Sequence, residues 1–238
     1  MKNTARTLAS LVALVLAHAP AATWAQASCS SDGTPRPTAL FERFLSADCE
    51  ACWTDRATPA PTAGAGTAVL DWIVPGAAGE DAPLAAAAAR DALVRLEALG
   101  RKPPRATDVH TAAVQAARPA GLRVAHGMPF NDYLGTAIAF TPGRTAAPGP
   151  LEFYLLLVEA VPAGTDGTAV PRNIVRNMLH GAWGKPGQRP GSGLGPSKWM
   201  ETRSMRIPEG AQAERLRMVG WVQDARGTVI AAAQSTCR

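Results

Sequence analysis

The sequence is poor in aromatic residues, which make up 5% of it, and long apolar runs are scarce after its first 27 residues. The strongest later run, residues 151–158, contains Glu152 and is far shorter than the roughly 20 residues that a membrane-spanning helix needs. The formal net charge is +5, but no block of Lys or Arg is long enough to follow a phosphate backbone. We therefore expect neither an integral membrane segment in the mature chain nor a nucleic-acid partner.

The N-terminal segment is typical of a secretory signal peptide. Lys2 and Arg6 precede an apolar run over residues 8–16, and residues 25–27 are Ala-Gln-Ala, a favourable site for signal peptidase. The pattern predicts cleavage after residues 1–27 and a periplasmic or secreted location.

The four cysteines, Cys29, Cys49, Cys52 and Cys237, all follow the predicted signal. An even number of cysteines in an exported protein predicts two disulfides, although the sequence allows three connectivities. We favour a small ring between Cys49 and Cys52 and a structural staple between Cys29 and Cys237 that joins the two ends. One alternative stays open: residues 26–29 resemble a lipoprotein processing site, in which Cys29 would carry a lipid anchor instead.

The C-x-x-C formed by Cys49 and Cys52 is the motif with recognisable chemistry. Residues 38–45 are predicted to form a strand, and a helix beginning at Cys49 would direct backbone N–H groups at its sulfur and lower the pKa of its thiol. Cys52, one turn later, would then resolve a mixed disulfide. Asp48 and Glu50 oppose thiolate formation. Both a redox pair and an inert disulfide fit the motif.

The following residues suggest an α/β arrangement. Residues 67–74 form a short apolar run that predicts a buried strand, and residues 84–99 have the spacing of a strong amphipathic helix. Strand, C-x-x-C helix, strand and helix make half of a thioredoxin-type unit, which we assign to residues 28–120. Pro103 or Pro104 would supply the cis-proline that such sites place opposite their cysteines.

The second half, residues 121–238, is richer in strand signals. It is predicted to form an antiparallel β-rich, sandwich-like region that completes the core or packs on it. The expected elements are strands over residues 122–125, 135–141 and 151–161, a helix or strand over 173–183, a surface loop over 184–197, and a hairpin of 215–221 with 228–233.

Three segments carry a family resemblance: residues 41–52, residues 173–184 and residues 219–233. In that order the chain resembles uncharacterised secreted bacterial proteins with a thioredoxin-like fold, and related outer-membrane-associated lipoproteins. The resemblance implies a thioredoxin-like core decorated by a β-rich region, an exported location and a C-x-x-C of undemonstrated activity. Trp53 stands where that family usually has proline.

Other residue types point to no further site. His110, His126 and His180 are far apart in sequence, with no neighbouring Cys or acidic residue at metal-ligand spacing, so we expect neither a metal nor another cofactor. Trp183 is expected in the core, and Arg176 is expected to pair with Glu159.

Two functions follow from these observations. In the first, the protein is an exported thiol-disulfide oxidoreductase in which Cys49 attacks and Cys52 resolves, and its partners are thiols or disulfides of envelope proteins. In the alternative, it is a non-enzymatic binding or structural protein of the envelope with two structural disulfides.

Overall fold

The structure is a computed structural model, and it describes residues 28–62, 66–115, 121–143, 149–184, 188–191 and 198–237. The predicted signal peptide and most of the predicted loop over residues 184–197 lie outside the described residues. Neither α-helix in the described ranges is long and apolar enough to cross a membrane.

The described residues form twelve strands and two short α-helices. In chain order these are β1 Cys29–Ser30, β2 Ala39–Ser46, α1 Glu50–Thr54, β3 Thr67–Val74, α2 Arg90–Ala98, β4 Thr107–Ala113, β5 Gly121–His126, β6 Tyr133–Thr141, β7 Leu151–Val161, β8 Arg172–Trp183, β9 Trp199–Arg206, β10 Leu216–Asp224, β11 Val229–Gln234 and β12 Thr236–Cys237.

The strands make two sheets. The larger has seven strands in the order β11-β10-β7-β8-β3-β2-β4, and the smaller has five in the order β12-β1-β5-β6-β9. The small sheet is antiparallel throughout, whereas the large one contains two parallel pairs, β2 with β3 and β3 with β8. Strands from residues 28–120 and from residues 121–238 therefore share one sheet.

The central strand β7 is buried on both faces. Phe153 and Leu155 pack towards the small sheet, while Tyr154 and Leu156 point to the opposite face, in the cluster that includes α2. A strand covered on both sides has no reason to alternate polar and apolar residues. This two-sided burial explains the continuous apolar run that the sequence shows at residues 153–158.

The two sheets pack face to face across an apolar core. Gly220 in β10 marks the closest approach, because a Cβ there would lie 2.8 Å from Cγ1 of Val124 and 3.2 Å from Cδ1 of Ile138 in the small sheet. Both sheets contribute to the surrounding cluster, whose members include Leu122, Leu134, Phe140, Leu157, Trp183, Met205, Met218 and Val222. The architecture is a β-sandwich with α2 on the outer face of the larger sheet.

The predicted thioredoxin-like α/β core is wrong. The described chain is mostly β, and its two helices are too short to cover a sheet as they do in an α/β fold. Residues 84–99 do not form one helix: a 3-10 turn spans Ala85–Ala87, Ala89 is extended, and α2 begins only at Arg90. The alanines of this segment bury too little apolar surface to hold a long helix against the sheet.

The local strand predictions agree better with the structure. Residues 67–74 form β3, the segment at residues 173–183 is the strand β8 rather than a helix, and β10 and β11 form the predicted hairpin. The peptide bonds before Pro103 and Pro104 are trans, so neither is the cis-proline that the thioredoxin interpretation required.

Candidate functional site

The C-x-x-C lies just beyond the end of β2. Cys49 caps the N-terminus of α1, and its sulfur is bonded to that of Cys52. The backbone N–H of Cys52 donates to the Cys49 sulfur at 3.2 Å. Both cysteines are half-buried. The expected position at a helix start is therefore present, but α1 has only five residues.

Asp48, which precedes the motif, holds the neighbouring loop. Its carboxylate accepts hydrogen bonds from the backbone N–H groups of Ala77 at 2.7 Å and Ala78 at 3.2 Å. A Cβ on Gly76 would overlap this carboxylate, so a larger residue there would require the Asp48 side chain to move. The negative charge beside Cys49 is thus used to fix the turn after β3.

Arg172 holds α1 in place through hydrogen bonds to its backbone. Its Nη2 group donates to the carbonyl oxygens of Cys52 at 2.9 Å and Trp53 at 2.8 Å, and its Nη1 group donates to the Thr58 hydroxyl at 3.2 Å. The guanidinium also lies 5.2 Å from the Trp53 ring centroid. The indole N–H of Trp53 donates to the carbonyl oxygen of Asp166 at 2.7 Å. The hydrogen bonds from Arg172 satisfy carbonyl groups at the C-terminal end of α1, which would otherwise be bonded to water.

A buried charge network supports Arg172. Asp71 in β3 accepts two hydrogen bonds from Arg43, at 2.7 and 3.1 Å, and a third from the backbone N–H of Asn173 at 2.6 Å. Arg172 lies 3.6 Å from the same carboxylate, and none of the three charged side chains is exposed beyond a few per cent. Burial lowers the pKa of Arg172, and the attraction of Asp71 opposes that change. Asp71 therefore forms ion pairs with two arginines, Arg43 and Arg172.

A second buried ion pair lies on the opposite face of β2. Glu42 accepts two hydrogen bonds from Arg95 of α2, at 2.9 and 2.7 Å. The guanidinium lies 4.9 Å from the Tyr154 ring centroid and 5.0 Å from that of Trp221. Burial acts to lower the pKa of Arg95, but Glu42 raises it overall. The cluster attaches α2 to the sheet.

The other disulfide lies in the small sheet. Cys29 in β1 is directly opposite Cys237 in β12, and the two sulfurs are bonded. On its other side, Cys29 is directly opposite His126 in β5. His126 lies 97 positions after Cys29 along the chain, so no local pattern in the sequence connects the two residues. Only strand pairing brings the three side chains together.

The β5–β6 hairpin ends in an apolar tip. Met128 is 74% exposed, Phe130 76% and Tyr133 48%. Asn131 and Asp132, with φ values of 47° and 60°, form the tight turn between Phe130 and Tyr133. We call Met128, Phe130 and Tyr133 the hairpin tip. The sequence does not predict this surface, because isolated apolar residues in a turn form no recognisable pattern.

The expected roles of two other residues are confirmed. Trp183 is buried and stacks on Phe153 with 4.4 Å between ring centroids. Arg176 pairs with Glu159 at 2.6 Å. These residues belong to the core and its polar margin.

Comparison with known proteins gives little further guidance. No family model matches the chain, and no curated protein matches it. The resemblance to secreted thioredoxin-like proteins is therefore not confirmed. Among solved structures, the fold is similar to HBP35 of Porphyromonas gingivalis, with a TM-score of 0.47 and 11% sequence identity, over 85% of this chain and 76% of that chain. That likeness is too distant to assign a function.

The two disulfides do bear on location. Both cysteine pairs expected from the sequence are bonded, and the described residues contain no free cysteine. Disulfides persist in oxidising compartments and are rare in the cytosol. The pairing indicates an extracellular or otherwise oxidising location, and it is compatible with export.

Proposed function

We propose that the protein is a non-enzymatic binding protein of an exported compartment, and that neither of its disulfides catalyses thiol-disulfide exchange. The observation that carries this proposal is the attachment of α1 by Arg172, a fully buried side chain that donates to the carbonyl oxygens of Cys52 and Trp53. An exchange-active cysteine pair must alternate between bonded and reduced forms. Here the segment that would have to adjust is bonded to a buried charge network.

The surroundings of Cys49 support the same conclusion. Asp48 and Glu50 flank it with negative charge, which opposes thiolate formation, and α1 has only five residues. A depressed thiol pKa normally depends on a neighbouring cation or on a longer helix. A pair without this activation is a poor nucleophile at neutral pH.

The binding surface in this proposal is the hairpin tip. Interface centres are enriched in aromatic residues, Met and Arg. Phe130 is paired across the turn with Tyr133, and Tyr133 lies directly opposite the exposed Arg206 of β9. Phe130, Tyr133 and Arg206 thus form a short row beside Met128. The partner that suits this row is an envelope protein with an apolar pocket bordered by carboxylates.

The redox part of the proposal is tested by the reduction potential of the Cys49–Cys52 pair. Purified protein is equilibrated in graded glutathione or dithiothreitol buffers, and its thiols are counted by mass spectrometry. We expect a reduction potential below about −300 mV, which is typical of a structural disulfide. A reduction potential above about −270 mV would establish an exchange-active site and overturn this part of the proposal. The Cys49→Ser variant lacks the Cys49–Cys52 disulfide, so comparison with it shows which of the two disulfides each measured potential belongs to.

The binding part is tested by site-specific photo-crosslinking. A photoreactive phenylalanine analogue is placed at Phe130 and, as the matched control, at Arg226, which is 86% exposed at the tip of the polar β10–β11 hairpin. We expect a covalent adduct with one protein from position 130 alone, and its loss in a Met128→Ser, Tyr133→Ser background. Crosslinks of equal yield from both positions, a dimer of this chain, or a lipid adduct would each contradict the proposed partner.

One observation favours the competing oxidoreductase function. Cys49 does cap the N-terminus of a helix, and the N–H of Cys52 points at its sulfur. The same potential measurement decides between the two functions. A potential in the exchange-active range, together with disulfide transfer to a reduced substrate protein that Cys49→Ser abolishes, would establish the enzyme.

A further inference from the structure

Cys237, Cys29 and His126 form a row across three neighbouring strands. Cys29 is directly opposite both other residues, and directly opposite residues of antiparallel strands direct their side chains to the same face. One ligand atom from each of the three residues lies within 4.8 Å of the other two. Two sulfurs and an imidazole nitrogen thus converge on one small volume.

The hydrogen bond of His126 selects its neutral tautomer. Its Nδ1 atom lies 2.8 Å from the carbonyl oxygen of Gly127. A carbonyl oxygen accepts only, so Nδ1 carries a proton, and in the neutral imidazole the free lone pair is therefore on Nε2. His126 is 5% exposed, and its Nε2 has no hydrogen-bond partner among the described residues.

A buried nitrogen without a partner is costly unless something binds it. The arrangement at His126 is the one that metal-ligating histidines adopt, in which one ring nitrogen donates to a backbone carbonyl and the other is the ligand. A set of two thiolates and one imidazole suits a cation that accepts sulfur, such as Cu⁺ or Zn²⁺.

We propose that Cys29, Cys237 and His126 form a binding site for a thiophilic cation, Cu⁺ or Zn²⁺, when the disulfide between the two cysteines is reduced. A dithiol supplies the two electrons and two protons: its own sulfurs become bonded, and Cys29 and Cys237 become thiols. The cation then displaces both thiol protons to solvent, and His126 binds in its neutral form. In the oxidised protein the same row is a structural link, so the redox state controls metal binding.

Access to the site comes from the side of Cys237. Cys29 and His126 are buried, but Cys237 is exposed in the edge strand β12. A reductant and a cation therefore reach the row through the residue that the fold leaves open. The cation would have two buried ligands and one at the surface.

The test uses protein with Cys49→Ser and Cys52→Ser, so that Cys29 and Cys237 are the only thiols. A phosphine transfers the same two electrons to the disulfide and takes up the oxygen of a water molecule, and it is removed by gel filtration before metal is added, because phosphines bind Cu⁺. Zn²⁺ and, without oxygen, Cu⁺ are then titrated against chromogenic chelators. We expect one equivalent to bind to the reduced protein and none to the oxidised protein.

His126→Gln should weaken metal binding by at least tenfold, and the control His180→Gln should leave it unchanged. Cys237→Ser, at an exposed position, provides a second variant if His126→Gln does not fold, and it should cause a similar loss. Equal affinity in these variants and the parent would overturn the site. So would failure of both cations to bind, or a reduced protein that has lost its near-UV circular dichroism and does not regain it with metal.

These results are independent of partner binding through the hairpin tip. They concern different side chains, and the crosslinking experiment is done on oxidised protein. Failure of one proposal would therefore leave the other standing.

Discussion

The guanidinium of Arg172 donates a hydrogen bond to the carbonyl oxygen of Cys52, at 2.9 Å and across 120 positions of the chain. The contact joins the start of β8 to the helix that carries the C-x-x-C. It is made by a charged side chain that is fully buried, so its removal affects both the helix and the ion network around Asp71.

Arg172→Met should destabilise the protein by about 3 to 5 kcal/mol, because it leaves buried acceptors unpaired and removes one of the two cations beside Asp71. Urea unfolding measures the change. Arg203, whose side chain is 62% exposed, provides the control, and Arg203→Met should cost less than about 0.5 kcal/mol. A similar small loss in both variants would show that Arg172 does not hold α1.

The buried pair of Glu42 and Arg95 should behave as one unit. Glu42→Leu or Arg95→Met alone should cost about 3 to 5 kcal/mol, since each leaves an unpaired charge between β2 and the aromatic rings. The double variant should cost clearly less than the sum of the two losses. Thermal or urea unfolding of all four proteins completes the cycle. Additive losses would mean that the two side chains contribute separately, despite their 2.7 Å contact.

Local patterns predicted most of the strands but not their arrangement. Residues close together in sequence determine β7, through the apolar run at residues 151–158, and the β10–β11 hairpin, through the Asp224–Gly227 turn. Both elements were therefore predictable. The parallel pairing of β3 with β8 joins residues about one hundred positions apart, and no local signal encodes it. The predicted helix at residues 84–99 failed because a run of alanines has helix propensity without a face to bury.

The candidate site was predictable in part for the same reason. The even cysteine count together with the C-x-x-C spacing favoured the two observed pairs, but His126 reaches Cys29 only through strand pairing. Arg172 was missed because its partners at α1 are backbone carbonyls, which leave no trace in the side-chain pattern. Glu42 and Asp71 are different, because their positions can be recognised in the sequence. Each is a carboxylate inside an apolar strand, and a charge at such a position indicates a buried ion pair.

His180 should make the protein less stable in mild acid. Burial lowers its pKa, and Arg95 acts in the same direction, while Glu152 opposes them. The unfolded chain titrates near pH 6.5, so below that pH it takes up a proton that the folded protein does not, and the free energy of unfolding falls. His180→Gln should flatten this dependence between about pH 6.5 and 5. An NMR titration midpoint for His180 at or above 6.5 would contradict the expected direction.

Gly220 in β10 should tolerate a side chain poorly. A Cβ there would lie 2.8 Å from Val124 and 3.0 Å from the carbonyl oxygen of Tyr154, and backbone atoms of a central strand cannot move aside cheaply. Gly220→Ala should therefore cost about 1 to 3 kcal/mol through overpacking between the sheets. Gly135, in β6, is the matched control, because a Cβ there would meet nothing within 4 Å. Gly135→Ala should be neutral or slightly stabilising, since it restricts the unfolded chain. Urea unfolding of the two variants decides the matter: equal stability would mean that the two sheets do not approach each other at Gly220 as closely as described.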